Sequence, residues 1–86
     1  MRLKIRIQER DYVGSPVEIL DQLRVEADRG IPTVGAYIRF VQDNIQRMTN
    51  QPCTLDGGST EKRALSLIHR LEGLFALEIL EDEHGR

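Results

Sequence analysis

Arg2-Leu3-Lys4-Ile5-Arg6-Ile7-Gln8 alternates without a break. Leu3, Ile5 and Ile7 fall on one side of an extended chain, and Arg2, Lys4, Arg6 and Gln8 on the other. A two-residue period carried by branched apolar side chains predicts a half-buried strand. Glu9-Arg10-Asp11 supplies polar residues for a turn, and Tyr12-Val13 then returns as a short second strand.

Downstream of that segment the signals become helical. Ser15-Pro16-Val17-Glu18 places serine at an N-cap, proline at the first helical position and glutamate where it closes a capping box. The helix that follows is expected to bury Ile19, Leu20, Leu23 and Ala27 and to stop at Gly30 and Pro32. A second helix is predicted from Thr33, with Val34, Tyr37, Ile38, Val41, Ile45 and Met48 at helical spacing. Its outer face carries Asp43 and Arg47 as an i,i+4 pair, and Asn50-Gln51-Pro52 ends it. Cys53-Thr54-Leu55 reads as a short strand and Asp56-Gly57-Gly58 as a turn. Ser59 or Thr60 then caps a third helix that buries Ala64, Leu67, Ile68 and Leu71, with Leu74 a further candidate, and ends near Gly73. Phe75, Leu77 and Ile79 alternate with Ala76, Glu78 and Leu80, which predicts a final strand. Residues 82–86 are expected to be a frayed polar tail.

The two ends of the chain differ in charge. Residues 1–10 hold Arg2, Lys4, Arg6 and Arg10 against Glu9, whereas residues 72–86 hold Glu72, Glu78, Glu81, Asp82 and Glu83 against Arg86. Opposite charges facing each other across neighbouring strands are worth a few tenths of a kcal/mol to about 1 kcal/mol. If the last strand lies beside the first, Glu78 faces the basic row. The expected fold is therefore α+β: a small sheet, with the N-terminal strand paired with the C-terminal strand, packed against three helices in one domain spanning residues 1–86.

Composition narrows the function classes. The 86 residues leave no room for a second hydrophobic core, and a domain this small often adds a dimer interface. Cys53 is the only cysteine, so no internal disulfide forms; with a charged N-terminus in place of a signal sequence, a reducing, cytoplasmic setting is expected. No stretch approaches the roughly 20 apolar residues of a membrane helix. A charged fraction of 30% with a net charge of −2 is an ordinary solvated surface, without the overall basicity of a general nucleic-acid binder.

Each chemically suggestive group also has a plain structural explanation. Gly57-Gly58-Ser59-Thr60 opens onto a helix N-terminus and could cradle an anion, but P-loop spacing is absent, and a turn plus helix cap accounts for it. Cys53, His69 and His84 are too few and too scattered for zinc or for a Cys–His pair. The carboxylates of the first helix fall on its solvated face, not in an apolar cleft. No catalytic, metal or cofactor site is expected. Phe40 lies off the main stripe of the second helix, next to Val41 and a turn from Tyr37. An aromatic that widens a stripe can reach a partner, so Tyr37, Phe40 and Val41 are the candidate interface residues.

Leu3 to Gln8, then Val17 to Asp28, then Gly30-Ile31-Pro32-Thr33, then Val34 to Met48 with its Tyr37-Ile38-Arg39, is similar in order to the ribbon-helix-helix repressors. The resemblance covers residues 2–48. In that family two chains pair their strands antiparallel, and outward strand side chains read the major groove. It implies that role for Arg2, Lys4 and Arg6. Glu9 to Ser15 intervene where the family runs almost directly from strand to helix, the turn carries an extra residue with Pro32, and everything from Cys53 onward lies outside the pattern. The preferred expectation is a small non-catalytic protein that acts through protein contacts, with a partner or as a homodimer. The alternative is a DNA-binding regulator of the ribbon-helix-helix type.

Overall fold

The computed structural model describes residues 2–55 and 57–82. The alternating N-terminal segment forms β1 (Leu3–Ile7), and the chain reverses through Gln8-Glu9 into β2 (Arg10–Gly14). Three helices follow: α1 (Pro16–Ala27), α2 (Val34–Thr49) and α3 (Thr60–Gly73). The chain ends its regular structure in β3 (Glu78–Asp82), which lies antiparallel to β1. The sheet order is β2-β1-β3, so β1 is central and the N- and C-terminal strands pair within one chain, as the charge asymmetry suggested.

Alternation then decides what each face carries. Tyr12, Ile5 and Ile79 form one cross-strand row, and all three are buried with Leu3 against Ile19, Leu20, Ile38, Ile45, Ala64, Leu67 and Ile68 of the helices. The opposite face carries two rows, Asp11–Arg6–Glu78 and Val13–Lys4–Glu81, polar apart from Val13. Between Lys4 and Ile5 the β1–β3 register shifts by one residue. This bulge places Glu81 opposite Lys4 and turns Asp82 to the helix side, opposite Leu3. Its carboxylate, only 2% exposed, stands 3.8 Å from His69 Nε2 of α3.

Local chemistry sets the helix ends. Ser15 Oγ accepts from Glu18 N and Glu18 Oε1 accepts from Ser15 N, which closes the expected capping box. Gly14, just before it, has φ 148°, and a Cβ there would meet Glu18 Cβ at 3.0 Å; only glycine joins β2 to this cap without strain. Thr33 and Ser59 cap α2 and α3 by accepting from Ala36 N and Lys62 N. Asp28 and Asn50 end α1 and α2 in the left-handed conformation that short polar side chains tolerate.

Several expectations are corrected. Cys53-Thr54-Leu55 forms no strand; its backbone is held by α2 side chains, with Gln46 Oε1 accepting from Cys53 N and Gln42 donating to Cys53 O. Met48 is 84% exposed, because the α2 stripe stops meeting the core one turn after Ile45. Arg47 donates to Asn44 at 3.1 Å, not to the expected Asp43. Leu23 is half-buried and Ala27 exposed, since both line an open cleft at the end of α1. Phe75 does not continue the inward alternation of Leu77 and Ile79: β3 starts three residues later, and Phe75 is 95% exposed. Asp82 belongs to β3 and not to a frayed tail, while residues 83–86 lie outside the described residues. Among the described residues, no helix is long and apolar enough to cross a membrane.

Ile5, wholly buried in the central strand, is the side chain whose truncation this sheet tolerates least. Ile5→Ala is expected to lower the unfolding free energy by about 3 kcal/mol, and Lys4→Ala on the opposite face by no more than about 0.5 kcal/mol. Urea denaturation of the two variants beside the parent measures both.

Candidate interaction surface

The basic row comes first, since strand geometry puts Arg2, Lys4 and Arg6 on one face. Arg6 is flanked on both sides by acids. Its Nε donates to Asp11 Oδ1 at 2.7 Å and its Nη2 to Asp11 Oδ2 at 3.3 Å, while Glu78 is its neighbour on β3. The hydrogen bond to Asp11 chiefly, helped by the charges of Asp11 and Glu78, raises the Arg6 pKa above its ordinary value. The same bond holds the Asp11 carboxyl below the usual carboxylate range. Lys4 faces Glu81 across β3 and shares a shallow cleft with Arg2, Val13 and Glu81. Three bases and three acids therefore share this face. The central position of β1 also occupies both of its edges, so the cross-chain ribbon that the repressor resemblance implies has no free edge to form on.

Other groups with chemical promise are absorbed by the fold. Ser59 Oγ caps α3, and Lys62 folds back beside Gly58. Cys53 is buried under the glutamines of α2. His69 lies beside Asp82, and His84 is outside the described residues. Among the described residues, no three His, Cys, Asp or Glu side chains are grouped to hold a metal ion.

The apolar ends of four elements converge elsewhere. β1 contributes Ile7, α1 Leu23, α2 Tyr37 and Val41, α3 Leu71, and the approach to β3 contributes Leu77; together they line an open cleft of about 440 Å³. Tyr37 and Val41, one helical turn apart, both face it. Phe40 does not line it but packs beside it, its ring centroid 6.3 Å from that of Tyr37 at 28°. The Arg29 guanidinium lies 5.3 Å above the Phe40 ring, within cation–π range. Burial raises the Tyr37 phenol pKa, and the nearby Arg29 charge opposes that shift.

Glu26 stands at the rim of the cleft and organises its polar side. Its Oε1 accepts from Tyr12 Oη at 2.7 Å and from Arg10 Nη1 at 2.8 Å, and Arg10 also covers the Tyr12 ring at 5.4 Å. The hydrogen bond to Glu26, then burial, pushes the Tyr12 phenol pKa upward.

Phe75 is the group that periodicity missed. The helix signal ended on Gly73, yet Gly73 is still helical, and the left-handed residue falls at Phe75, with φ 61°. The turn is fastened by Phe75 N donating to Glu72 O and Ala76 N to Leu71 O. A left-handed conformation costs an ordinary residue about 1 kcal/mol, and glycine almost nothing. The exposed ring stands beside the cleft, since Ala76 and Leu77 line both the cleft and the hollow around Phe75. No residue pattern at Gly73-Leu74-Phe75 announces this, because the glycine marks the usual place of the left-handed turn and the aromatic takes it instead. Compared with known proteins, the chain matches no family model, no curated protein and no solved structure.

Because the folded Tyr12 pKa lies above its unfolded value, the Tyr12–Glu26 bond contributes its full stabilisation below about pH 10 and loses it as the phenol ionises at higher pH. Urea midpoints followed from about pH 8 to about pH 11 are expected to fall more steeply in the parent than in Tyr12→Phe. Parallel curves would show that the bond contributes nothing to the folded state.

Proposed function

We propose that this chain is a non-catalytic protein-interaction module that docks through the apolar cleft framed by Ile7, Leu23, Tyr37, Val41 and Leu71. The observation that carries this proposal is an open, largely apolar cleft with the exposed Phe75 in the hollow that adjoins it through Ala76 and Leu77. Interfaces draw most of their affinity from a few aromatic and aliphatic anchors that lose water in a pocket, with polar groups around them setting orientation. Tyr37 and Val41 offer the apolar floor, and Glu26, Arg10 and Arg29 offer the polar surround. A single buried cysteine suits a reducing, cytoplasmic setting.

DNA binding through Arg2, Lys4 and Arg6 is the weaker alternative. Phosphate binding draws its energy from cations that displace counterions. Here Asp11, Glu78 and Glu81 occupy the same face, and a duplex would meet as many acids as bases.

Peptides selected from a displayed library against the folded chain are expected to shift the amide resonances of Leu23, Tyr37, Val41 and Leu71. Val41→Glu is expected to weaken them at least tenfold, about 1.4 kcal/mol, with an unchanged circular dichroism spectrum. A gel shift on mixed duplex DNA at low salt is expected to show no complex. A salt-sensitive complex that disappears when Arg2, Lys4 and Arg6 are changed to alanine would replace this proposal with the DNA-binding one.

A further inference from the structure

We propose that the outer edge of β3 takes up an extended basic peptide as a fourth strand, with bases beside Glu78 and Glu81 and an apolar residue between them. This surface is separate from the cleft. β1 occupies one side of β3, and no described strand pairs with the other. An edge strand carries a row of backbone donors and acceptors, and an extended peptide joins a sheet by pairing with them.

The other edge of the sheet is less open. α1 packs against β2, and Gln22 Nε2 donates to Val13 O at 3.2 Å, which takes up a backbone acceptor of that strand. The charged side chains of β2 are engaged as well, Arg10 with Glu26 and Asp11 with Arg6. β3 differs. Its Glu78 and Glu81 are exposed and, among the described residues, form no ion pair within 4.0 Å. Arg6 stands next to Glu78 but bonds Asp11, on the far side of β1.

The inner side of β3 shows which sequence fits. Lys4, Ile5 and Arg6 of β1 stand opposite Glu81, Ile79 and Glu78. Through the bulge, two acids three residues apart in β3 meet two bases only two residues apart in β1. A peptide with the same base–apolar–base order, antiparallel to β3, repeats those pairings on the outer side. Its bases fall on the solvent face and its apolar residue on the helix side, next to Ile79. A second copy does not fit. Two β3 edges paired antiparallel about a twofold axis set Glu78 and Glu81 against the same acids of the other copy, and like charges directly opposite are destabilising. Charged side chains commonly guard an edge against unwanted strands; here the guard is acidic, so a basic strand is the one it admits.

The probe is the acetylated and amidated peptide Thr-Lys-Ile-Arg-Thr, added to the isotopically labelled full chain at about 20 mM salt, where exposed charges are weakly screened. Amide resonances of Glu78 to Asp82 are expected to shift, with a dissociation constant of about 1 mM or below. The same peptide with Glu in place of its Lys and Arg is expected not to bind. The double variant Glu78→Gln, Glu81→Gln is expected to bind at least tenfold more weakly, with an unchanged circular dichroism spectrum. Two further peptides, N-methylated at the odd or at the even positions, keep the charge and each lose the donors of one edge. One is expected to bind as the parent peptide does, and the other not at all. Equal binding by both shows attraction between charges without strand pairing and overturns the proposal. So do shifts centred on Asp11 to Val13 or on Tyr37 and Val41, or no shift at about 5 mM peptide. If the double variant does not fold, the methylated pair decides.

Discussion

Everything in this fold leans on β1 being hydrogen-bonded on both sides. A strand at the edge of a sheet leaves a row of donors and acceptors for another chain; a central strand leaves none. With β2 and β3 on its flanks, β1 aligns Tyr12, Ile5 and Ile79 into one buried row and forces its bases into rows with Asp11, Glu78 and Glu81. The two faces are not equal in energy. Exposed cross-strand charge pairs contribute tenths of a kcal/mol each, and burying a side chain such as Ile5 contributes about 2 kcal/mol or more. Apolar burial therefore chooses the register, and the charge pairs follow it. The bulge fits that ranking: Ile79 stays opposite Ile5 in the core, and beyond it a one-residue slip places Glu81 opposite Lys4 while Asp82 turns in toward His69.

The parts of the fold that could be read in the sequence are those set by near neighbours. The period of Leu3, Ile5 and Ile7, the Ser15–Glu18 box and the Ser59 cap each depend on residues within a turn of one another, and each element forms where its pattern lies. What could not be read depends on distant contacts. Cys53-Thr54-Leu55 has a strand-like composition, but Gln42 and Gln46 satisfy its backbone before any strand can. Met48 keeps the α2 spacing and still points into solvent, because no element lies beyond Ile45 to cover it. The β3 bulge leaves no trace in residues 78–82, where alternation alone would put Glu81 inward.

The candidate surface divides the same way. Tyr37 and Val41 could be singled out because a four-residue spacing on one helix guarantees a shared face, and that face meets Ile7, Leu23 and Leu71 only in the folded chain. Phe40 adds to it indirectly, by stacking on Tyr37 and holding Arg29 near. Phe75 was hidden because Gly73 is the residue that ordinarily takes the left-handed turn after a helix. Here the helix runs through the glycine, and the aromatic takes the turn two residues later. A choice that disfavours the isolated fold at one exposed position is where a functional demand is most visible.

The energetic contrast between the two faces also bears on what class of molecule the protein meets. A partner approaching the sheet must compete with bonds already made, above all the paired Arg6–Asp11 contact, and recovers only what it can rebuild in water. A partner entering the cleft breaks no protein hydrogen bond. It removes water from Ile7, Leu23, Tyr37, Val41 and Leu71 and gains roughly 25 cal/mol for each Å² of apolar surface covered. Glu26 is already satisfied by Tyr12 and Arg10, so docking there strands no buried charge. The same helix-on-sheet packing that neutralises one side of the molecule leaves the other with apolar surface that a small domain could not close over by itself.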